Sequence, residues 1–374
     1  MDCAAHVKLG SPEYLEKFFD KVSRNRVPIS GAFDLTYRCN FRCQHCYAGH
    51  LAAEPRSRAA ELETEQVIDL LSAAVEAGCL MVLLSGGEPL LRQDFLDIYK
   101  AAKRLGLIVT VFTNASLLTQ DHLDVFAEYP PHLVEVSVYG ADEAAYERIS
   151  GVHGSFGRVR TGIERLLEGG VRVGLKTMIL RDNVDYVDAI EALATSFGLR
   201  FRVDPMVTPR LNGDLTPLQQ RVDPQQAVDL EMRTWERRAD MARFFKRHDA
   251  LRERATAPAH RLYRCGAGVA SFQIDPQGFM HPCLMSQSIA YNTLTTGFAG
   301  AWKAVSAAVD RATWEGTGGC ADCPNILLCD YCPGLFDLEQ ATPSRPPEYV
   351  CSLGENRRRA VGVDELEVAG VGAN

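Results

Sequence analysis

The chain has 374 residues, of which 46% are hydrophobic and 24% are charged, and its net charge at pH 7 is −8. These proportions are typical of a globular protein, and the length suits one large domain with a smaller one. Because no stretch approaches the ~20 apolar residues of a membrane span, a membrane protein is excluded. Lys and Arg are scattered, which argues against a nucleic-acid partner. The N-terminus lacks the basic start and apolar run of a secretory signal, so we expect a cytoplasmic protein.

Twelve cysteines in a chain without an export signal favour metal ligation over disulfide bonds, because cytosolic thiols are kept reduced. Cys3 and Cys79 are isolated in the sequence. The other ten form two sets, which are Cys39, Cys43 and Cys46, and then Cys265, Cys283, Cys320, Cys323, Cys329, Cys332 and Cys351. The spacing therefore predicts one metal centre near the N-terminus and others in the last third of the chain.

The pattern along the chain begins with an amphipathic helix over 11–24, inside an N-terminal helical extension that we assign to 1–30. From residue 31, short β-rich runs alternate with helical periods. The strands are FDLTY, MVLLS, IVTVFTN, LVEVSVY, VRVGLKTMIL and FRVDPMV, and the helices cover 64–77, 93–105, 119–127, 155–168 and 184–196. Apolar strands that alternate with helices indicate parallel crossover units. The fold predicted for 31–213 is therefore an α/β partial (β/α)6 TIM-like barrel.

The remaining third of the chain divides into three segments. Residues 214–259 are highly charged and helical in pattern, which predicts a helical bridge. Residues 260–353 contain the second set of cysteines with several glycines and prolines, as expected for a small cysteine-rich C-terminal iron–sulfur domain in which metal replaces a hydrophobic core. Residues 354–374 have few large apolar side chains, which predicts a loose tail.

The first cysteine set directly follows the first strand, on a loop at the end of the barrel where such folds keep their active sites. The spacing of Cys39, Cys43 and Cys46 resembles the motif of the radical S-adenosylmethionine (radical SAM) superfamily. The resemblance implies that the three thiolates hold a catalytic 4Fe-4S cluster whose fourth iron binds S-adenosylmethionine. The alternative is a zinc site, for which His45 or His50 would supply the fourth ligand.

The second strand ends in Gly86, Gly87, Glu88 and Pro89, which resembles the GGEP motif of the same superfamily. The resemblance implies that the glycines let the backbone approach the methionine moiety of the cofactor and that Glu88 binds its ammonium group. A simple glycine turn is the alternative. The further candidate cofactor contacts are Tyr47, Asn114, Ser137 and Lys176. Local hydrogen bonding or solvent contact is an equally good explanation for Ser137 and Lys176.

The second cysteine set resembles the SPASM domain, which carries two auxiliary 4Fe-4S clusters, and the resemblance covers about 260–353. It implies that Cys320, Cys323, Cys329 and Cys351 hold the second auxiliary cluster, and that Cys265, Cys283 and Cys332 hold the first. The interval between Cys329 and Cys332 is two residues, where the usual pattern has three. The first auxiliary cluster would then need Asp330, His281, water or a substrate group as its fourth ligand. The alternative is a zinc ribbon.

These resemblances imply an enzyme that cleaves S-adenosylmethionine to a 5′-deoxyadenosyl radical with three 4Fe-4S clusters in all. The expected function is oxidative modification, such as cross-linking, of a ribosomally made precursor peptide. The expected partners are a peptide substrate, a small leader-binding chaperone protein and an external electron donor of the flavodoxin or ferredoxin type. The alternatives are a sulfatase-type protein maturase, a small-molecule cofactor biosynthesis enzyme, and a non-enzymatic electron-transfer protein.

Overall fold

A single mixed sheet organises the computed structural model, which describes residues 12–51, 61–233, 239, 241–243, 261–314 and 319–361. The order of its nine strands is β6-β5-β4-β3-β2-β1-β7-β8-β9. The strands are β1 Ser30–Thr36, β2 Met81–Gly86, β3 Ile108–Thr113, β4 Leu133–Ser137, β5 Val173–Met178, β6 Arg200–Asp204, β7 Ser271–Ile274, β8 Phe279–His281 and β9 Tyr291–Asn292. Neighbours from β1 to β6 are parallel, so their carboxyl ends share one edge.

Helices alternate with the six parallel strands. In chain order the helices are α1 Pro12–Arg24, α2 Thr64–Glu76, α3 Phe95–Arg104, α4 Gln120–Glu128, α5 Glu143–Ser150, α6 Ser155–Glu168, α7 Val187–Ser196, α8 Pro224–Glu231, α9 Thr293–Arg311, α10 Pro333–Gln340 and α11 Glu348–Ala360. The predicted partial (β/α)6 barrel is confirmed, and α5 is an additional helix that the sequence pattern did not indicate. None of the described helices is both long and apolar enough to cross a lipid bilayer.

The C-terminal region continues the barrel sheet, because β7 pairs in parallel with the first barrel strand, β1. Phe272 on β7 packs edge-on against Phe33 of β1 and against Phe298 of α9. These side chains belong to the same buried apolar cluster as the barrel interior. The expectation that metal replaces a hydrophobic core after residue 260 is therefore corrected for this part of the chain, where α9 supplies an ordinary apolar face.

For residues 354–360 the predicted loose tail is also corrected, because α11 extends to Ala360 and packs against α8. Arg357 anchors it: the buried guanidinium donates to both carboxylate oxygens of Glu231 at 2.7 and 3.1 Å and to Asp330 Oδ2 at 2.6 Å. Of the predicted bridge, α8 and the short 3₁₀ helix Thr216–Gln220 are observed, and 244–259 lies outside the described residues, as does 362–374. Few apolar side chains were a misleading sign of looseness, because the buried Val350, Leu353 and Arg357 together hold the helix in place.

Candidate functional site

A cavity of about 530 Å³ opens at the carboxyl ends of the barrel strands. Each of the first seven strands contributes to its wall. The contributing strand residues include Ser30, Asp34, Leu83, Ser85, Phe112, Thr113, Ser137, Lys176, Thr177, Arg202, Asp204 and Gln273. The cysteine loop after β1 lines it with Cys39, Cys43 and Cys46, and the C-terminal region adds Pro282, Cys283 and Leu284. The two cysteine sets of the sequence therefore border one space.

The cysteine loop is held by backbone hydrogen bonds at both of its ends. Gly87 N donates to Thr36 O at 2.7 Å and Glu88 N donates to Arg38 O at 2.9 Å, which ties the loop to the end of β2. Further along, Arg42 N donates to the carbonyl oxygen of Ser150 at 2.8 Å. These backbone contacts tie the loop to the ends of β1 and β2 and to the end of α5.

Gly86 and Gly87 are required by this contact. A Cβ atom on Gly86, whose φ is +134°, would overlap Thr36 O, and a Cβ on Gly87 would lie 2.6 Å from Tyr37 O. Any larger residue would push the end of β2 away from the cysteine loop. Both glycines also line the cavity. Their observed role is therefore to bring two strand ends together, which the sequence resemblance did not indicate.

Glu88 and Pro89 are buried and do not line the cavity. The carboxylate of Glu88 accepts hydrogen bonds from Thr113 Oγ1 at 2.7 Å, Asn114 N at 2.7 Å and Leu90 N at 3.1 Å. Burial raises the pKa of this carboxyl to about 7, although the three donors act in the opposite direction. In the structure Glu88 ties β2 to β3, and the Asn114 side chain extends the link by donating to Asn40 Oδ1 on the cysteine loop.

The three thiols of the loop share a half-buried, largely apolar setting. Burial raises the pKa of Cys39 to about 12, and it raises the pKa of Cys43 and Cys46 as well. Each thiolate in this group would repel its neighbours, since Cys46 and Cys39 both add to the rise at Cys43. Arg210 counteracts the rise only at Cys46. Bound iron would supply the positive charge that such thiolates need, so the donor set fits an iron–sulfur cluster.

A zinc ion fits the same residues less well. Within the described parts of the chain, no three Cys, His, Asp or Glu side chains are arranged around a single metal ion. His45 is buried against the ring of Tyr139 at a centroid distance of 4.7 Å, and burial lowers its pKa to about 4. The aromatic contact favours a packing role for His45, and the two zinc alternatives have no support in the geometry.

The other candidate cofactor contacts lie on the cavity wall. Tyr47 donates to Gly86 O at 3.2 Å, and Ser137 is the register partner of Lys176 across β4 and β5. The Lys176 ammonium lies 3.4 Å from Glu135 Oε2 and 3.4 Å from the centre of the Phe112 ring. Burial lowers its pKa to about 8, and Glu135 partly restores it. Lys176 is thus a paired cation at the side of the cavity nearest the sheet edge.

Four of the C-terminal cysteines come together although they span 32 positions of sequence. Burial raises the pKa of Cys329 to about 12, and the neighbouring Cys320, Cys323 and Cys351 add to the rise. Cys351, on α11, is in turn affected by Cys323. This is the group that the sequence resemblance implied for the second auxiliary cluster.

The other three C-terminal cysteines form a separate group. Burial raises the pKa of Cys332 to about 12, and Cys283 and Cys265 add to the rise. Asp330 does not join them, because its carboxylate is bonded to Arg357. His281 also has other neighbours: its Nδ1 lies 3.1 Å from Ile289 O and its Nε2 lies 3.5 Å from Asp275 Oδ2.

Several polar residues of the cavity wall were missed by the sequence reasoning, and two of them form a buried pair. Asp34, on β1, and Gln273, on β7, are 5% and 2% exposed and hydrogen-bonded to each other. A signal was available for Asp34, because an aspartate inside the apolar run FDLTY interrupts a strand predicted to be buried on both faces. Gln273 carried no comparable signal, since its strand was not predicted.

Comparison with known proteins gives a match of the barrel region to a protein family and matches of most of the chain to individual proteins. Residues 33–194 match the radical SAM superfamily. A mycofactocin maturase of Mycolicibacterium smegmatis is 28% identical over 316 residues, which cover 81% of this chain and 77% of that protein. The crystal structure of Streptococcus suis SuiB bound to S-adenosylmethionine has a TM-score of 0.66 at 15% identity and covers 91% of this chain and 81% of SuiB. SuiB bound to its precursor peptide SuiA gives 0.65 at 15% identity, with 94% and 83% covered. At these identities the two structures establish the fold alone.

Proposed function

We propose that this chain, an enzyme that carries a radical SAM superfamily domain over residues 33–194, oxidatively modifies a ribosomally made precursor peptide. The observation that carries the proposal is the shared cavity, whose wall includes the cysteine loop on one side and Cys283 on the other. A substrate placed there would lie between the site of radical formation and a second group of thiols. The 316-residue match to a mycofactocin maturase supports the same conclusion, since it extends well beyond the barrel.

In the proposed mechanism, Cys39, Cys43 and Cys46 hold the catalytic 4Fe-4S cluster. When bound, the cluster and S-adenosylmethionine supply the electron and the 5′-deoxyadenosyl radical that abstracts a hydrogen atom from the substrate. The chain positions the cluster and keeps water away from the radical. The loop that carries the three cysteines is fixed by the ends of β1 and β2. Apolar side chains such as Leu83 and Phe112 line the cavity and limit the entry of water. No acid, base or nucleophile of the chain is needed for this step.

We further propose two auxiliary 4Fe-4S clusters. Cys320, Cys323, Cys329 and Cys351 would complete one, and Cys265, Cys283 and Cys332 would give the other only three protein ligands. The remaining described cysteine, Cys79, is buried beside β2 and its thiol donates to Met81 O at 3.3 Å. Because Asp330 is bonded to Arg357, the last ligand would be water, a substrate group or His281, whose Nε2 has no hydrogen-bond partner among the described residues. A substrate thiolate would suit iron, which favours sulfur donors.

A separate leader-binding chaperone and an external electron donor of the flavodoxin or ferredoxin type complete the proposal. Between Pro12 and Ile29 the structure describes one helix, α1, which gives a peptide leader little surface to bind. The chaperone is tested by adding a co-encoded small protein of the pyrroloquinoline-quinone type and measuring the KM for the precursor. A KM that stays the same with this protein present would count against the chaperone.

The function is tested with anaerobically reconstituted enzyme, S-adenosylmethionine, a reductant and the synthetic precursor peptide encoded beside the gene of this chain. We expect 5′-deoxyadenosine to form and the peptide to lose hydrogen atoms, measured by chromatography and mass spectrometry. Peptide of unchanged mass after deoxyadenosine release would contradict the peptide substrate, and absence of deoxyadenosine would contradict the radical chemistry itself.

A further inference from the structure

Asp34 occupies an unusual position for an acidic residue, inside the buried strand β1. Its neighbours Phe33 and Leu35 belong to the apolar core. Because side chains alternate along a strand, Asp34 projects to the opposite side, where it lines the cavity. A carboxyl group held in an apolar strand costs stability unless something pairs with it, so its retention calls for a partner.

Gln273 is the hydrogen-bond partner of Asp34, but it bonds to only one of the two carboxylate oxygens. Its Nε2 donates to Asp34 Oδ2 at 2.7 Å, while the described residues offer no hydrogen bond to Asp34 Oδ1. The carbonyl oxygen of Gln273, Oε1, is fully buried and also has no hydrogen-bond partner. The pair therefore presents two acceptor oxygens without a donor, of which Gln273 Oε1 is fully buried, and unpaired buried acceptors are rare in folded proteins.

The groups around Asp34 provide no strong cation. Asp275 follows β7 and His281 ends β8, and both act electrostatically on Asp34. Burial raises the pKa of Asp34 to about 7, and the hydrogen bond from Gln273 opposes the rise. Tyr37 and Tyr47, from the segment after β1, also face this carboxyl and have their own pKa values raised by burial. No Lys or Arg is among these neighbours; the Tyr47 hydroxyl is already bonded to Gly86 O, and the Tyr37 hydroxyl also interacts with Gln273.

We propose that Asp34 and Gln273 form a subsite that binds an N–H or O–H donor on the side chain of the peptide substrate. Asp34 lies on the cavity wall that also includes the cysteine loop and Cys283, so a donor bound there would set the position of the neighbouring substrate carbon. This inference rests on the proposed function and assigns two substrate-binding residues to it.

The test is the affinity of the holoenzyme for the same synthetic precursor peptide, measured by calorimetry with S-adenosylmethionine bound. Asp34→Asn keeps the size of the side chain and removes its charge. We expect the Kd for the peptide to rise about tenfold to a hundredfold, since a hydrogen bond to a charged group is lost, while the Kd for S-adenosylmethionine stays the same. Asp34→Glu should restore part of the affinity. The matched control is Asp69→Asn, at an exposed position on α2, which should not change peptide binding.

Two further measurements make the outcome specific. The wild-type affinity for the peptide should weaken as the pH falls below the raised pKa of Asp34, and Asp34→Asn should reduce this dependence. Each donor side chain of the peptide is also replaced by alanine, alone and in combination with Asp34→Asn. At one peptide position the combined loss of binding free energy should differ from the sum of the two separate losses, which identifies the side chain that Asp34 binds.

The outcomes separate the inference from the function on which it rests. Equal peptide affinity of wild type and Asp34→Asn, with a flat wild-type pH profile, overturns the subsite while the peptide-modifying function stands. A weaker Kd for S-adenosylmethionine in Asp34→Asn would assign the pair to the cofactor and overturn it too. Failure of the wild-type enzyme to bind the peptide overturns the proposed function and the subsite together. If Asp34→Asn does not fold, Gln273→Met, which removes the other half of the pair, takes its place in the peptide and S-adenosylmethionine measurements.

Discussion

The two cysteine regions of this protein are built in different ways. Cys39, Cys43 and Cys46 lie within eight consecutive residues on one loop, and the ends of β1 and β2 hold that loop. The seven C-terminal cysteines span 87 positions, and their two groups form only when segments distant in sequence meet. A local motif can be recognised from its spacing, whereas an assembled site depends on the tertiary structure around it.

The stretch between Cys329 and Cys332 illustrates the difference. Their spacing is that of a pair that binds one metal, and both thiols pack in one apolar cluster. Yet beyond the effect of burial, the pKa of Cys329 is raised by Cys320, Cys323 and Cys351, and that of Cys332 by Cys283 and Cys265. Asp330, between them, has a φ of +54°, a left-handed conformation that turns the chain. Cys332 then begins α10, where its Sγ accepts from Leu335 N at 3.4 Å. Spacing alone identifies these residues as ligands but does not assign them to a site.

The largest effect on activity should come from removing the three cysteines of the loop after β1. Replacing Cys39, Cys43 and Cys46 together by alanine should abolish 5′-deoxyadenosine formation and lower the iron content from about twelve to about eight atoms per chain, as expected for the loss of one cubane of three. Iron analysis and chromatography of the anaerobically reconstituted variant provide the check. If the variant still formed deoxyadenosine, the first cysteine region would not be the site of S-adenosylmethionine cleavage.

The assembled region should be most sensitive at Arg357, which joins α11 to α8 and to Asp330. Arg357→Met should lower the free energy of unfolding by about 3–5 kcal/mol, because it leaves the Glu231 and Asp330 carboxylates without their cation. Urea unfolding measures the change. The matched control is Arg160→Met on α6, whose exposed pair with Glu164 should contribute less than about 1 kcal/mol. Equal effects for the two variants would show that α11 is not anchored by this arginine.

The attachment of the cysteine loop can be tested at Gly87. Gly87→Ala should lower the free energy of unfolding by about 1–3 kcal/mol, since the added methyl group overlaps the backbone of Tyr37 and Arg38. The iron of the first cluster should bind more weakly, while that of the C-terminal groups is unaffected. Gly157→Ala is the control, because nothing lies within 4 Å of its Cβ and an alanine there favours the helix. If Gly87→Ala had normal stability and iron content, the close backbone contact between Gly87 and the cysteine loop would be refuted.

The smallest expected effect concerns pH and Glu88. Burial raises the folded-state pKa of its carboxyl from 4.5 to about 7, so its contribution to stability is present at low pH and is lost as the pH rises through this window. Glu88→Gln stays neutral and removes that dependence. The unfolding free energy of wild type should therefore fall relative to that of Glu88→Gln between pH 5 and pH 7 in anaerobic urea titrations. Parallel profiles for the two proteins would contradict a raised pKa.

The sequence predicted the parts of the molecule whose signals are local. The barrel strands and most of their helices followed from hydrophobic periodicity, and the confirmed partial barrel agrees with that pattern. The α9 helix was not predicted, because its apolar residues face a sheet that includes β7 and the pairing of β7 with β1 has no sequence signature. The α11 helix was not predicted because ion pairs with Glu231 and Asp330, distant in sequence, hold it in place.

The candidate site shows the same division. The cysteines and the glycines were recognisable as motifs, but the involvement of Glu88 with Thr113 and Asn114 depends on how β2 and β3 end. The pairing of Asp34 with Gln273 depends on contact across 239 positions of sequence. Hydrophobic patterns predict which face of a strand is buried. They do not predict which polar side chain of another strand will contact a polar residue on that face.

The parallel pairing of β1 with β7 has a consequence for folding. β1 is the first strand to be synthesised, yet its second neighbour, Ser271–Ile274, follows about 240 residues later. Until then β1 is an exposed edge strand, and Gly31 leaves open the space that the Phe272 ring later fills. Contacts of such long range form slowly and leave apolar edges open to wrong pairing. The barrel is therefore completed late, by the same segment that brings the distant cysteines to the cavity.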